Sequence, residues 1–297
     1  MGAEMSQLGM TAGLEIGRAV MGAMKPLVVQ ALTALLAKLQ EKPECPKDVP
    51  AAAGMTAEQM REAARKAVGI DCTNHYNFGV TGISGTGKSS FINAVRGLKS
   101  NEPGAAPVGE DETTLKIAPF PHASYPHIVL WDTPGCGTFK IPAADYFQEQ
   151  QLFCFDFLIV IIGRNIKEDE LAIAKEARKN NVPVFFVRSK ADDSIANIVN
   201  DEGVTRQQAV QKFKKIIEAQ QENQLNKQGF PEVPLFAVSS RTLFNLFRVR
   251  TRAESETTQA ANVIPDVVLD EHKLMQTVLT LAYHRRQYIS AAVETLP

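Results

Sequence analysis

The sequence predicts an α/β fold in which a mostly parallel sheet is flanked by helices and carries a phosphate-binding loop. From residue 74 onward, apolar stretches of strand length alternate with helical stretches, which is typical of a parallel sheet. Within that alternation, Gly82-Ile-Ser-Gly-Thr-Gly-Lys88-Ser89 matches the pattern G-x-x-x-x-G-K-S/T between a strand and a helix. The 297 residues, 44% of them apolar, carry a net charge of −1, so no basic field points to a nucleic-acid partner.

Each strand is predicted from a run of apolar residues that has turn residues on both sides. The candidate strands are Tyr76–Thr81, Leu115–Pro119, Ile128–Trp131, Phe155–Ile162, Val184–Arg188 and Leu235–Ser239. The candidate helices around them begin or end at capping residues or follow the charge order of the helix dipole. They are Thr56–Gly69, Ser90–Gly97, Glu168–Asn180, Thr205–Glu222 and Asp270–Ala292.

Residues 1–70 are predicted to form a helical segment ahead of the main domain at 71–292. Apolar residues recur at helical spacing from Ile16 to Leu39, and prolines break the linker 41–54. The apolar stripe either packs as ordinary core, the favoured interpretation, or lies on a membrane surface. Gly2 fits the N-myristoylation pattern, although chance gives such a match about as often as a real site does. With no signal peptide evident, we expect a cytoplasmic protein with reduced thiols.

The glycine-rich loop has the residue types that hold a phosphate. Its glycines allow the backbone to wrap closely around the anion, and the following helix turns its positive end toward the anion. Lys88, expected on the loop surface, would reach the β- and γ-phosphates, and the Ser89 hydroxyl would ligate Mg²⁺. The other residues predicted to contact the phosphates are Gly85, Thr86, Gly87 and Ser90.

A second motif, Asp132-Thr-Pro-Gly135, follows an apolar strand. Asp132 is expected to supply Mg²⁺ with an oxygen, directly or through water, and the Gly135 amide to approach a γ-phosphate. On its own this motif is also a plain turn. The loop Gly109–Thr114 offers a threonine hydroxyl that would complete the Mg²⁺ shell, and the competing interpretation is a solvated acidic loop.

A third motif, Ser189-Lys190-Ala-Asp192, resembles the N/T-K-x-D reader of guanine. Asp192 can accept two hydrogen bonds from guanine that adenine does not offer in that pattern, and the stem of Lys190 can cover the base. Ser189 keeps a hydroxyl but departs from the usual Asn or Thr. A further base-contacting loop is expected at Ser239 and Ser240, although that signal is degenerate.

Together these motifs resemble the immunity-related GTPases, the interferon-inducible, dynamin-like GTPases, of the Gly-Lys-Ser type. The most specific stretch, from Tyr125 to Thr138, is similar to that family's Y-P-x-x-x-x-W-D-x-P-G-x-G. The resemblance implies a P-loop GTPase domain that binds GTP and GDP, self-assembles through its GTPase domains and acts on intracellular membranes in cell-autonomous defence. It also implies that Thr114 is a Mg²⁺ ligand and that Glu112 serves catalysis across the dimer.

The chain departs from the family pattern in two further places. Relative to that pattern we expect most of the C-terminal helical bundle to be missing, and residues 241–264 look inserted before the closing helix. The leading interpretation is a slow GTPase whose hydrolysis rises on self-association, with Lys88, Glu112, Thr114 and Gly135 as its catalytic residues. The alternative is a GTP-loaded binding module with negligible turnover, because Cys136 stands where Ras-like proteins place a water-orienting Gln. The Lys190-x-Asp192 motif disfavours an ATPase or nucleotide kinase.

Overall fold

The computed structural model describes residues 57–109, 116–122, 125, 127–136, 143–248, 269–278 and 280. Several sequence predictions fall outside these ranges. They are Gly2, the stripe from Ile16 to Leu39, the linker 41–54, Glu112, Thr114 and residues 249–264 of the predicted insertion.

A six-stranded sheet forms the centre of the described domain. Its strands are β1 (Tyr76–Thr81), β2 (Ala118–Pro121), β3 (Ile128–Asp132), β4 (Phe157–Ile162), β5 (Val184–Arg188) and β6 (Leu235–Ala237). They lie in the order β2-β3-β1-β4-β5-β6. All neighbours pair in parallel except β2, which runs antiparallel to β3 at the edge of the sheet. The predicted α/β fold with a mostly parallel sheet is confirmed.

Helices connect and cover the strands. They are α1 (Ala57–Val68), α2 (Lys88–Val95), α3 (Ala143–Glu149), α4 (Glu168–Lys179), α5 (Ala191–Glu202), α6 (Arg206–Gln220) and α7 (Ser240–Arg248), and residues 271–278 are also helical. No helix within the described residues combines the length and the apolar character needed to cross a membrane.

The central strands are buried on both faces, which explains their unbroken apolar sequence. In β4, Leu158, Val160 and Ile162 join one hydrophobic cluster, with α4, α5 and α6. The alternate residues Phe157, Ile159 and Ile161 join the other cluster, with α2, α7 and the helix at 271–278. The fold therefore has three layers, and the carboxyl ends of five parallel strands meet at one edge.

Helix α1 is fastened to the opposite edge of the sheet. Arg61 donates to the carbonyl oxygens of Phe153 and Asn180 at 3.0 and 2.6 Å. The buried Arg65 donates to the carbonyl oxygen of Cys154 at 2.9 Å and lies 3.7 Å from the Asp156 carboxylate. Although the sequence places α1 in a separate N-terminal segment, these contacts attach it to the same packed unit as the sheet.

The sequence prediction lacks the helices α3, α5 and α7. Helix α5 begins inside the Lys190–Asp192 motif. The acidic residues of its first turn, Asp192 and Asp193, resemble a polar turn in the sequence. Helix α7 occupies residues 241–248 of the predicted insertion, and Leu243 is fully buried in the core beside α2. Residues 241–248 are therefore part of the packed domain.

Candidate nucleotide-binding site

The predicted phosphate loop joins β1 to α2 at the carboxyl edge of the sheet. Gly82 has a φ of +134°, and a Cβ there would lie 2.2 Å from the carbonyl oxygen of Ile161 in β4, so no larger residue fits. Gly85 and Gly87 also have positive φ, and Gly87 directly precedes α2. The loop therefore curls tightly and presents the amino end of α2 at this edge, where an anion is favoured.

Lys88 is buried, with 7% of its surface exposed, so the prediction of a surface position is wrong. Its Nζ donates to the carbonyl oxygens of Gly82 and Ile83, both at 3.2 Å. These bonds fold the side chain back onto the beginning of the loop. A phosphate held by the loop would therefore meet an ammonium that is already in place, and hydrogen bonds between ionised partners are the strong ones.

Ser89 and Asp132 come together beside the loop. Because β1 and β3 are parallel neighbours with Val80 opposite Asp132, the carboxylate ends its strand next to the phosphate loop. The Ser89 Oγ donates to Oδ2 of Asp132 at 2.6 Å, and Asp132 is buried. A hydroxyl and a carboxylate are the hard oxygen donors that Mg²⁺ prefers, together with water and phosphate oxygens. The described residues thus fit Mg²⁺.

The Asp132–Gly135 motif is joined to the phosphate loop, unlike a plain turn. A Cβ at Gly135 would lie 2.9 Å from the backbone N and Cα of Ser84, which shows how closely the two segments approach. The backbone N–H of Cys136 donates to the carbonyl oxygen of Gly82 at 3.2 Å. Burial, with a smaller contribution from the Glu170 carboxylate, raises the pKa of the Cys136 thiol to about 12, so it stays protonated and unreactive.

Ser189 connects the guanine-reading motif to the phosphate loop. Its Oγ donates to the carbonyl oxygen of Thr86 at 2.6 Å, across 103 positions of the sequence. Ser189 is buried at the end of β5, two strands away from β1. The hydroxyl that the serine retains is therefore enough to tie the two motifs together.

The side chains that would face the base lie around the start of α5. Lys190 is exposed and has a φ of +55°, which turns the chain into the helix. Asp192 lies in the first turn of α5, and its Oδ2 accepts a hydrogen bond from the Arg241 guanidinium at 2.8 Å. Ser239 is buried, and its Oγ accepts from the backbone N–H of Thr242 at the start of α7. Its hydroxyl therefore supports a helix end, which the sequence prediction did not foresee.

One cavity adjoins the phosphate loop, and a second lies beside α2 and α7. The first, of about 290 Å³, is lined by Gly85, Thr86, Ser189 and Lys190 among others. The second, of about 620 Å³, is lined by residues that include Ser90, Ser240 and Arg241. A further cavity of about 610 Å³ lies away from these motifs, against α6 and residues 269–273. Residues predicted to bind the phosphates and the base thus adjoin open space at one edge of the sheet.

Comparison with known proteins identifies the family. The family model for interferon-inducible GTPases (IIGP) matches residues 58–248. The chain belongs to the interferon-inducible GTPase family. The resemblance predicted from the Tyr125–Thr138 stretch and the P-loop is therefore confirmed.

Several curated relatives of this family member are similar over part of the chain. Mouse Interferon-inducible GTPase 1 is 34% identical over 167 residues, which are 56% of this chain and 40% of that protein. Mouse T-cell-specific guanine nucleotide triphosphate-binding protein 2 is 41% identical over 118 residues, 40% of this chain and 28% of that protein. Rat Immunity-related GTPase family M protein is 32% identical over 161 residues, 54% of this chain and 37% of that protein. The chain therefore spans less than half the length of each relative.

Among solved structures, the LeoA bacterial dynamin GTPase from ETEC aligns with a TM-score of 0.49 and 15% identity. That alignment covers 97% of this chain and 46% of LeoA.

Glu170 contacts the phosphate loop of this family member, and no sequence motif assigns it to the site. It lies in the first turn of α4 and is buried, with 1% exposed. Its carboxylate accepts hydrogen bonds from the backbone N–H groups of Lys167, at 2.9 Å, and of Ile83 in the loop. Burial nevertheless raises the pKa of Glu170 to about 7 from an ordinary value of 4.5. The sequence shows only an acidic helix start, which also occurs on exposed helices.

We expect Glu170→Gln to flatten the pH dependence of stability between the two pKa values of this carboxyl, 4.5 in the unfolded chain and about 7 in the folded one. In that window the folded state holds a proton that the unfolded chain releases, so the free energy of unfolding falls as pH rises. The loss contributed by Glu170 reaches about 3 kcal/mol above the window. Urea denaturation at a series of pH values measures it.

A suitable control is Glu168→Gln, because Glu168 is exposed in the same helical turn. This control should retain the wild-type pH profile. Wild-type and Glu170→Gln proteins with the same profile would show that Glu170 titrates normally in the folded state.

Proposed function

We propose that this chain binds GTP and GDP together with Mg²⁺ and hydrolyses GTP slowly, with a rate that rises when its GTPase domains self-associate. The observation that carries the proposal is the hydrogen bond of 2.6 Å from Ser189 to the carbonyl oxygen of Thr86. It joins the guanine-reading motif to the phosphate loop, so one nucleotide could contact both. The family match, and the guanine nucleotide in the name of a relative, support the same ligand.

Different residues would bind the phosphates, the base and Mg²⁺. The loop amides and Lys88 bind the phosphates, and Asp192 and Lys190 orient the base. Ser89 and Asp132, with Thr114 as the proposed third protein ligand, would hold Mg²⁺. When bound, Mg²⁺ supplies positive charge that balances the charge of the β- and γ-phosphate oxygens.

Cys136 bears on whether GTP hydrolysis takes place within one molecule or needs a partner. It follows Gly135, and its thiol is buried and protonated, so it cannot orient a water as an amide side chain would. We propose that Glu112, from the loop that also carries Thr114, orients this water instead. It would do so across a dimer, at the partner's nucleotide. The monomer would then turn over slowly.

The proposed self-association is tested by measuring specific GTPase activity over about a hundredfold range of protein concentration. The wild-type activity per molecule should climb, and Glu112→Ala should flatten the climb while GTP binding stays within about twofold, since Glu112 would act on the partner's nucleotide. The matched control is Glu110→Ala, which removes the same charge from the same loop and should leave the climb unchanged.

The second candidate function is a GTP-loaded binding module without meaningful turnover. The same buried Cys136 favours it, because the described residues offer no side chain in that position to activate water. Specific activity that is low and constant over the whole concentration range, in both wild-type and Glu112→Ala proteins, would support this module and exclude the dimer mechanism.

We also propose that the protein works at the surface of intracellular membranes, with acylated Gly2 and the apolar stripe from Ile16 to Leu39 as joint contacts. A single myristoyl chain binds membranes only marginally, so a second contact is required. Vesicle flotation of protein made in cells that myristoylate should recover wild type and lose Gly2→Ala. Equal flotation of the two would remove the lipid from the proposal.

A further inference from the structure

Tyr146, on α3, is the centre of a buried hydrogen-bond network behind the Asp132–Gly135 motif. Its side chain is buried, with 6% of the residue exposed, and its hydroxyl lies 2.5 Å from the carbonyl oxygen of Pro134. The hydroxyl also lies 3.0 Å from Oγ1 of Thr81 and 3.3 Å from Oγ1 of Thr133, both of which are fully buried. The network thus joins α3 to the end of β1 and to the Asp132–Gly135 segment.

The direction of each hydrogen bond follows from counting protons. A carbonyl oxygen can only accept, so the single proton of the Tyr146 hydroxyl is donated to Pro134. Thr81 must then donate its own proton to the Tyr146 oxygen. Thr133 donates its single proton to the carbonyl oxygen of Val80 at 3.0 Å, so no proton is left for a full hydrogen bond between Thr133 and Tyr146. Burial raises the pKa of Tyr146 above its ordinary value, so the hydroxyl keeps the proton that it donates.

The carbonyl that Tyr146 holds belongs to the same peptide group as the N–H of Gly135. The described chain has no cis peptide bonds, and a trans peptide group is planar, with its C=O and N–H on opposite sides. Fixing the direction of the Pro134 carbonyl therefore fixes the direction of the Gly135 N–H. We propose that Tyr146 is a positioning residue, which sets the Gly135 amide for the third phosphate of a nucleoside triphosphate.

Two features place this peptide where the third phosphate would matter. Gly135 lies against the phosphate loop, since a Cβ there would be 2.9 Å from the Ser84 backbone. The next residue, Cys136, donates its backbone N–H to the carbonyl oxygen of Gly82 in the same loop. The inference rests on the proposed function, because it needs a nucleotide on that loop. Tyr146, which lies outside every sequence motif, would thus favour the binding of the triphosphate over that of the diphosphate.

The test is Tyr146→Phe, which removes the hydroxyl and keeps the buried ring. The dissociation constants of GDP and of a non-hydrolysable GTP analogue are measured with Mg²⁺ by fluorescence titration of wild-type and variant proteins. We expect the constant for the analogue to rise about fivefold to tenfold, the effect of one well-placed hydrogen bond, while that for GDP stays within about twofold. A purely structural tyrosine would change both constants together, and that result would overturn the inference.

The matched control is Thr81→Val, which removes one hydrogen bond to the same hydroxyl but leaves the bond from Tyr146 to Pro134. In Thr81→Val the ratio of the dissociation constants for the analogue and for GDP should equal the wild-type ratio. If this ratio changes as much as it does in Tyr146→Phe, the inference is overturned. If wild type binds neither nucleotide, the proposed function itself fails. Should Tyr146→Phe not fold, the ring resonance of Tyr146 in wild type decides. It should shift when the analogue replaces GDP, and an unchanged resonance overturns the inference.

Discussion

Lys88→Ala should lower the affinity for GTP by about a hundredfold or more, which corresponds to about 3 kcal/mol. The reason is the position of the ammonium, which the carbonyl oxygens of Gly82 and Ile83 hold at the beginning of the phosphate loop. Removing it deletes a preorganised cation and its charge-assisted hydrogen bonds to the phosphates. Titration calorimetry with GTP and Mg²⁺ measures the loss.

Because Lys88 is buried, alanine also removes packed methylene groups, and a second variant has to separate charge from packing. Lys88→Met keeps a long apolar stem without the charge. We expect Lys88→Met to lose GTP binding as fully as Lys88→Ala, while its melting temperature stays closer to that of wild type. Normal GTP binding by Lys88→Met would show that the Lys88 ammonium does not contribute to phosphate binding.

Asp192→Asn should weaken the binding of guanine nucleotides by tenfold or more and leave the weak binding of ATP unchanged. The carboxylate can accept from guanine N1–H and the 2-amino group, whereas an amide offers one acceptor oxygen and puts a donor in the other place. The lost discrimination corresponds to about 1.4 kcal/mol or more. Competition titration of GTP against ATP measures the change in both affinities.

The neighbouring Asp193 provides a control of equal charge. It is exposed in the same turn of α5, and Asp193→Asn removes the same charge without touching the proposed base contact. That variant should keep the preference for guanine. Equal affinity of the wild-type protein for GTP and ATP would end the assignment of guanine.

The parts of the fold that were predictable from sequence are those with strong local signals. Strands β1 and β5 match their predicted bounds, because each is an apolar run between turn residues. The edge strand β2 lies at Ala118–Pro121, whereas the sequence predicts Leu115–Pro119, because two of its four residues are prolines, which are not typical of a strand. Helix α5 escapes prediction because its face against the core needs little more than Ala191 and Ile195.

Some residues of the candidate site were likewise predictable from local sequence patterns, and others were not. Local patterns predicted the phosphate loop, Asp132 and Asp192, because each type of chemistry requires particular residues at a fixed spacing. The bond from Ser189 to Thr86 joins distant parts of the chain, so only the order of the strands reveals it. No motif assigns Glu170 or Tyr146 to the site. A carboxylate at a helix start and an aromatic residue in a helix are common in any protein, and their contacts with the site arise from packing.

The attachment of α1 determines how mechanical force would enter this domain. Arg61 and Arg65 donate hydrogen bonds to carbonyl oxygens just before β4 and β5, at the edge of the sheet opposite the phosphate loop. A pull on the chain ahead of α1 would thus enter the sheet at the amino ends of β4 and β5. A tether ahead of α1 would therefore load the edge of the sheet that lies away from the phosphate loop.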